Sequence, residues 1–120
     1  MNRTILTVDD SATMRDMIVH TISSAGYSVL AAKDGLEALE KMRGNPVDMV
    51  IADVNMPNLN GIGLVREIRK EDRYKKLPVL LLTTESGSDM RNMGRAAGAT
   101  GWIVKPFDPE MLISFIRRFV

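Results

Sequence analysis

Side chains of charged or reactive types follow four of the five short apolar runs in this sequence, and they are Asp9 and Asp10, Asp53, Thr83 and Lys105. Three carboxylates that lie close together repel one another and raise each other's pKa unless a cation is present. Carboxylate oxygens without a nearby His or Cys favour a hard ion, and Mg²⁺ suits a site in which water and phosphate complete the coordination. If these residues converge in the fold, they therefore predict a magnesium site.

The five runs that position these residues lie at 4–8, 28–32, 49–52, 79–82 and 101–104. Each run is too short for a helix, and most are apolar at consecutive positions, which is typical of central parallel strands. Segments with apolar residues at helical spacing alternate with them. The alternation predicts an α/β fold of (βα)5 type, a doubly wound parallel five-stranded sheet with helices on both faces. Because ligands bind outside the carboxyl ends of parallel strands, the charged residues should meet at one sheet edge.

Composition excludes several other classes of protein. The 120 residues carry 16 Lys and Arg against 15 Asp and Glu, and the net charge of +1 gives no basic field for nucleic acid or an anionic membrane. The absence of Cys excludes disulfides and cysteine nucleophiles. No apolar run approaches the ~20 residues that span a bilayer, and the N-terminus lacks the apolar stretch of a signal peptide. We therefore expect one cytoplasmic domain over residues 1–120, without membrane insertion.

A metal beside acidic groups and Lys105 is suited to phosphoryl transfer, which depends on positioning and charge neutralisation. The sequence contains no Walker A motif for ATP, so the phosphoryl group must arrive on another molecule. The natural acceptor is Asp53, which follows the middle run. Because an aspartyl phosphate is a labile mixed anhydride, the modification is temporary. These features predict a phosphorylation switch.

An enzyme of the aspartate-nucleophile phosphatase class is the alternative. That chemistry needs carboxylates at alternate positions on the first strand, whereas Asp9 and Asp10 are adjacent. A chain of 120 residues also leaves no cap domain to form a substrate pocket. The prediction is therefore a signalling phospho-acceptor with self-catalysed phosphorylation and slow autodephosphorylation, and not an enzyme.

Four segments together resemble one family along the whole chain. They read Ile-Leu-Thr-Val-Asp-Asp-Ser at 5–11, Asp-Val-Asn-Met-Pro-Asn-Leu-Asn-Gly at 53–61, Leu-Thr-Thr-Glu at 82–85 and Lys-Pro-Phe at 105–107. The sequence resembles the receiver domains of two-component response regulators, among them the stand-alone chemotaxis proteins of the CheY type. The resemblance implies a flavodoxin/CheY-like fold with strand order 2-1-3-4-5, an order for which CheY is itself a standard example.

The resemblance also implies a role for each acidic residue. Asp53 would be the phospho-acceptor. Asp10 and Asp53 would ligate Mg²⁺ directly, Asp9 would assist through a water, and the backbone carbonyl of Asn55 would be a further ligand.

Further roles implied by the resemblance belong to residues around the phosphoryl group. The Thr83 hydroxyl would hydrogen-bond one phosphoryl oxygen, and the Lys105 ammonium would pair with another. The Lys105–Pro106 peptide would be cis. Asn55 and Glu85 occupy positions that the family uses to tune dephosphorylation, including by helper phosphatases.

The predicted output surface is the face formed by the fourth helix, fifth strand and fifth helix. Trp102 stands where the family usually has a Tyr or Phe that turns inward on activation. Because indole is larger, only partial insertion is expected. Arg91 and Arg95 lie one turn apart beside it in the predicted fold and are candidates for recognising an acidic partner.

The resemblance implies a histidine kinase of chemotaxis type as phosphodonor and a protein as the target, with the chain acting as a monomer. Asn55, Glu85 and the segment 11–15 favour a flagellar motor switch protein in chemotaxis. The alternative is a phosphorelay intermediate or phosphate sink that exchanges the phosphoryl group with a histidine phosphotransfer domain.

Overall fold

The computed structural model describes residues 3–84 and 88–120. Within them, strands and helices alternate along the chain. The strands are β1 Thr4–Val8, β2 Ser28–Ala32, β3 Met49–Asp53, β4 Val79–Thr83 and β5 Gly101–Val104. The helices are α1 Ala12–Ser24, α2 Gly35–Gly44, α3 Gly61–Arg69, α4 Ser88–Ala97 and α5 Pro109–Phe119, with a 3-10 turn at Asp72–Tyr74. None of the helices in these two ranges is long and apolar enough to cross a membrane.

The strands form one parallel sheet in the order β2-β1-β3-β4-β5. Every residue of β3 and β4 is buried, whereas the edge strands β2 and β5 are largely half-buried. Central strands covered on both faces need apolar residues at consecutive positions, which explains the pattern of the sequence. The predicted fold class and strand order are both confirmed.

Helices cover both faces of the sheet. Helices α1 and α5 pack on one face, where the buried helical residues are Ile18, Ile22, Leu112 and Ile116. Helices α2 and α3 contribute most of the buried helical residues on the other face, namely Ala38, Met42, Ile62, Leu64, Val65 and Ile68. Helix α4 also lies on that second face, through its half-buried Met90 and Ala97. The two apolar layers leave the loops at the carboxyl ends of the strands free to carry polar groups.

Two strands extend one residue further than the sequence predicted. The predicted runs 49–52 and 79–82 stop before Asp53 and Thr83, but both residues remain in the parallel ladder, paired with Leu82 and Val104. Hydropathy registers only the side chain, whereas pairing in a ladder depends on the backbone. Asp53 and Thr83 are therefore held by the sheet itself.

Candidate functional site

Three carboxylates converge at the carboxyl edge of the sheet. Oxygen atoms of Asp9, Asp10 and Asp53 all lie within 4.8 Å of one another. Asp9 and Asp53 are 1% and 7% exposed, and Asp10 is exposed. The pocket is therefore open to solvent on the Asp10 side and enclosed on the Asp9 side.

Lys105 brings an ammonium into the same pocket. Its Nζ lies 3.3 Å from Oδ2 of Asp9 and 3.3 Å from Oδ1 of Asp53. The backbone N–H of Lys105 donates to the Thr83 carbonyl at 2.7 Å, which continues the pairing of β4 with β5 past the end of the strand. The Lys105–Pro106 peptide is cis, as the resemblance implied.

The electrostatics of the pocket favour an added cation. Burial raises the pKa of Asp53 above its usual value, and the negative charges of Asp9 and Asp10 raise it further, against the opposing effect of Lys105. Three carboxylates thus face one ammonium. A cluster of oxygen donors with this excess of negative charge fits a hard divalent ion such as Mg²⁺.

The turn after β1 fixes Asp9 from several directions. The backbone N–H of Ser11 donates to Asp9 Oδ1 at 2.9 Å, and the Asp9 N–H donates to the Ala32 carbonyl at 3.1 Å. Nη1 of Arg15 donates to the Asp9 carbonyl oxygen at 2.8 Å. Sequence reasoning did not single out Arg15, because its spacing from Asp9 is equally typical of a solvated helical residue.

The loop after β3 closes tightly behind Asp53. The Gly61 N–H donates to the Val54 carbonyl at 3.0 Å, and a Cβ on Gly61 would lie 2.4 Å from the Asp53 carbonyl oxygen. Only glycine allows this approach of α3 to the strand. Asn55 is exposed in this loop, two residues beyond Asp53.

Thr83 is fully buried at the end of β4. It pairs with Val104 in the neighbouring strand, directly before Lys105, so both predicted phosphate-contacting residues leave the sheet at the same level. The other residue predicted to tune dephosphorylation, Glu85, lies outside the described residues.

The indole of Trp102 is half-buried against α4. Its Nε1 is buried, and it has no hydrogen-bond partner in the described parts of the chain. A Cβ on Gly94 would lie only 3.1 Å from Cζ3 of the ring and 3.0 Å from Cδ1 of Leu81. The missing side chain at Gly94 therefore makes room for an aromatic residue larger than Tyr or Phe. The sequence contained that signal in Gly94, which a helix interior usually disfavours.

Arg91 and Arg95 are exposed on α4, and they line a cavity of about 290 Å³ together with Trp102 and Thr100. The three residues predicted for the output surface are thus brought together. The cavity is separate from the acidic pocket, whose residues do not line it.

The family model for the response regulator receiver domain matches residues 5–117. The chain belongs to the response regulator receiver family. Receiver domains are signalling phospho-acceptors that bind Mg²⁺ at an acidic pocket, and the cluster of Asp9, Asp10 and Asp53 in this receiver domain could hold such an ion.

The relatives of this receiver domain include chemotaxis proteins. It is 44% identical to the chemotaxis protein CheY1 of Helicobacter pylori over 110 residues, which span 90% of this chain and 89% of that protein. It is also 44% identical to the solved structure of the Vibrio cholerae chemotaxis protein CheY4, with a TM-score of 0.95 and full coverage of both chains. The receiver domain of the Pseudomonas aeruginosa histidine kinase PA1611, described with a magnesium ion in its active site cleft, is 27% identical at a TM-score of 0.91, with 99% and 98% coverage.

The similarities identify this chain as a receiver of the CheY-type chemotaxis response regulators. Membership of that class implies a histidine kinase upstream and a target downstream. The prediction that the chain belongs to a two-component family of signalling phospho-acceptors is confirmed.

Proposed function

We propose that this single receiver domain, residues 1–120, accepts a phosphoryl group on Asp53 from a histidine kinase in a Mg²⁺-dependent reaction. The observation that carries the proposal is the placement of the Asp53 carboxylate between two further carboxylates and the Lys105 ammonium. Within the described residues, this is the group of carboxylates that could hold a metal ion, and Asp53 is buried in it.

The metal ligands that we propose are Asp10 and Asp53 directly, Asp9 through a water and the Asn55 backbone carbonyl. Mg²⁺, when bound, neutralises the charge of the carboxylates and of the incoming phosphoryl oxygens. The proposed role of Asp9 agrees with its hydrogen bonds to Ser11, Ala32 and Arg15, which hold it in place.

Phosphoryl transfer to Asp53 needs no group in the protein to accept a proton, because the attacking carboxylate carries none. An Asp53 carboxylate oxygen attacks phosphorus, the P–N bond to the donor imidazole breaks, and the imidazole leaves with the bonding electron pair. Lys105 Nζ, already 3.3 Å from Asp53, exchanges a carboxylate oxygen for a phosphoryl oxygen. The phosphoryl group of the product carries a charge of about −1.5 to −2 in place of the single negative charge of the ionised carboxylate, and Lys105 and the Thr83 hydroxyl stabilise it.

The new contacts of Thr83 link the phosphoryl group to the α4-β5-α5 face. Movement of its hydroxyl toward the phosphoryl oxygen changes the packing below Trp102, whose ring lines the cavity next to Arg91 and Arg95. We propose that this change alters the affinity of the face for an acidic segment of a flagellar motor switch protein. The similarity to chemotaxis proteins supports that partner over a phosphotransfer domain.

The same proposal covers the remaining roles. The domain acts as a cytoplasmic monomer and not as an enzyme, and a helper phosphatase shortens the phosphorylated state through Asn55 and Glu85. The exposure of Asn55, two residues after Asp53, supports its access to such a protein.

Labelling by a small phosphodonor tests the acceptor. Incubation with acetyl phosphate and Mg²⁺ should add one phosphoryl group in a hydroxylamine-sensitive linkage. Asp53→Asn should lack the adduct, whereas Asp16→Asn, a change of an exposed carboxylate on α1, should retain it. Equal labelling of Asp53→Asn would refute the assignment, and sustained turnover of a phosphate ester would favour a phosphatase instead.

A binding assay tests the target. With beryllofluoride and Mg²⁺, the domain should bind a motor switch peptide more tightly than without them, and Arg91→Ala should weaken the complex. Arg43→Ala, a matched change of an exposed arginine on α2, should not. Preferential binding of a histidine phosphotransfer domain would favour the phosphorelay alternative.

A further inference from the structure

The N-terminus of α2 holds a third buried carboxylate, outside the acidic cluster. Asp34 is 5% exposed and is the N-cap of α2. Its Oδ1 accepts the Glu37 backbone N–H at 2.9 Å, which is an ordinary capping bond. One carboxylate oxygen of Asp34 therefore caps α2, the helix that begins directly after it.

The other oxygen of Asp34 contacts a different part of the chain. Oδ2 accepts a hydrogen bond at 2.8 Å from Nδ2 of Asn58, which lies in the loop between β3 and α3. These two bonds hold the pKa of Asp34 below its usual value, and the capping bond has the larger effect on it. Both carboxylate oxygens are thus engaged, one by the helix and one by the loop.

The backbone reinforces this link between α2 and the loop. The Gly35 N–H donates to the Leu59 carbonyl at 3.2 Å, and a Cβ on Gly35 would lie 2.6 Å from that oxygen. Asn58 has a φ of +67°, in the left-handed region that Asn tolerates better than most residues. The middle of the loop is therefore bent directly onto the start of α2.

We propose that Asp34 is a positioning residue that holds this loop in the shape required for magnesium binding by the Asn55 carbonyl. The inference rests on the proposed function. Asn55 lies three residues before Asn58, and the base of the loop is closed by the bond from Gly61 to Val54. With its base closed and its middle fixed to α2, the loop has little freedom to move the carbonyl of Asn55.

Asp34→Asn separates capping from positioning. Asn is as good an N-cap as Asp, so an amide oxygen keeps the bond to Glu37. Its NH₂ group would then face the NH₂ group of Asn58, so the Asn58 amide must turn over, and only a weaker neutral hydrogen bond can replace the one to the carboxylate. Titration calorimetry should show a Mg²⁺ Kd about tenfold weaker than that of the wild type, the scale typical for partners that orient metal ligands.

Three further variants make the test specific. Asn58→Gly keeps the positive φ but removes the donor, and it should weaken Mg²⁺ binding similarly. Asp34→Asn with Asn58→Asp exchanges donor and acceptor at unchanged total charge, and it should recover most of the affinity. Glu37→Gln removes one negative charge from the same turn without touching the loop, and it should leave the Kd near that of the wild type.

The outcomes separate the inference from the proposed function. If the wild type bound no Mg²⁺, the proposed metal site would be wrong and the inference would fail with it. If the wild type bound Mg²⁺ and Asp34→Asn bound it equally well, Asp34 would be a helix cap alone. Equal weakening by Glu37→Gln, or no recovery in the double variant, would also overturn the positioning role and attribute the effect to charge.

Discussion

The Lys105 ammonium lies 3.3 Å from the carboxylate of Asp53, in a pair whose side chains are only 11% and 10% exposed. Partial shielding from water makes this pair stronger than an exposed one. The ammonium also occupies the negative field that attracts a metal ion. Lys105 therefore stabilises the pocket when it holds neither a metal ion nor a phosphoryl group. Its ammonium must reorient when a phosphoryl group arrives.

Replacing Lys105 should strengthen magnesium binding. Lys105→Met removes a positive charge from the pocket, and a unit charge a few ångströms away is worth about 1 kcal/mol even at the dielectric constant of water, so the Kd should fall by about three- to tenfold. Titration calorimetry measures the change, with exposed Lys76→Met as the control. The same variant should lose phosphorylation-dependent partner binding. An unchanged Kd would show that Lys105 does not oppose the metal.

Removing the acceptor charge should stabilise the metal-free protein. Asp53→Asn loses the attraction to Lys105, but it also relieves the cost of burying a carboxylate and the repulsion from Asp9 and Asp10. Because the pKa of Asp53 is raised on balance, relief outweighs loss, and at pH 7 in EDTA the free energy of unfolding should rise by about 1 kcal/mol. Excess Mg²⁺ should reverse the order, because only the wild type gains the full binding energy. Thermal unfolding with and without Mg²⁺ tests both halves. A wild type that is more stable than Asp53→Asn in EDTA would contradict this account.

The fold and the acidic pocket could be predicted because both depend on local features of the sequence. Apolar runs of strand length, each followed by a polar residue, specify parallel strands whose ends meet at one edge. Asp9, Asp10, Asp53 and Lys105 are each adjacent in sequence to such a strand end. Their convergence then follows from topology alone, and the structure confirms it.

The contacts that position the site could not be predicted in the same way. Asp34 and Asn58 are 24 residues apart, and each alone is typical of a cap or a turn. Gly94 and Trp102 meet only because α4 packs over β5. The periodicity of apolar residues predicts neither contact. Each contact depends on the relative position of two elements that are distant in sequence.

The lowered pKa of Asp34 predicts a pH dependence of stability. The folded protein binds the Asp34 proton more weakly than the unfolded chain does, so Asp34 contributes stability above its ordinary pKa of 3.8 that is lost as the pH falls through the lowered value. Asp34→Asn cannot titrate there. Wild type should exceed it in stability by about 1 kcal/mol at pH 7, the usual scale for such hydrogen bonds, and the gap should narrow on acidification. Urea unfolding of both proteins, from pH 7 down to a pH below the pKa of Asp34, measures the difference in stability. A difference that grows on acidification would contradict the prediction.

Filling the space at Gly94 should displace Trp102. A methyl group there would meet Cζ3 of the indole at 3.1 Å and Leu81 at 3.0 Å, so one of them must move. Helix propensity favours Ala over Gly by about 1 kcal/mol, whereas overpacking costs about 1–3 kcal/mol, and Gly94→Ala should therefore lose stability on balance. Tryptophan emission should shift to the red and become more accessible to acrylamide, because the buried Nε1 edge of the ring is pushed toward solvent.

Two comparisons show whether the effect belongs to the contact between residues 94 and 102. Gly44→Ala changes a helical glycine with no atom near the added methyl group, and it should leave the emission unchanged. In Trp102→Phe the smaller ring leaves space, so adding Gly94→Ala should cost less stability there than it costs in the wild type. If Gly94→Ala cost the same stability with Trp or Phe at 102, the indole would not be the group that requires glycine, and Leu81 would be responsible for the clash.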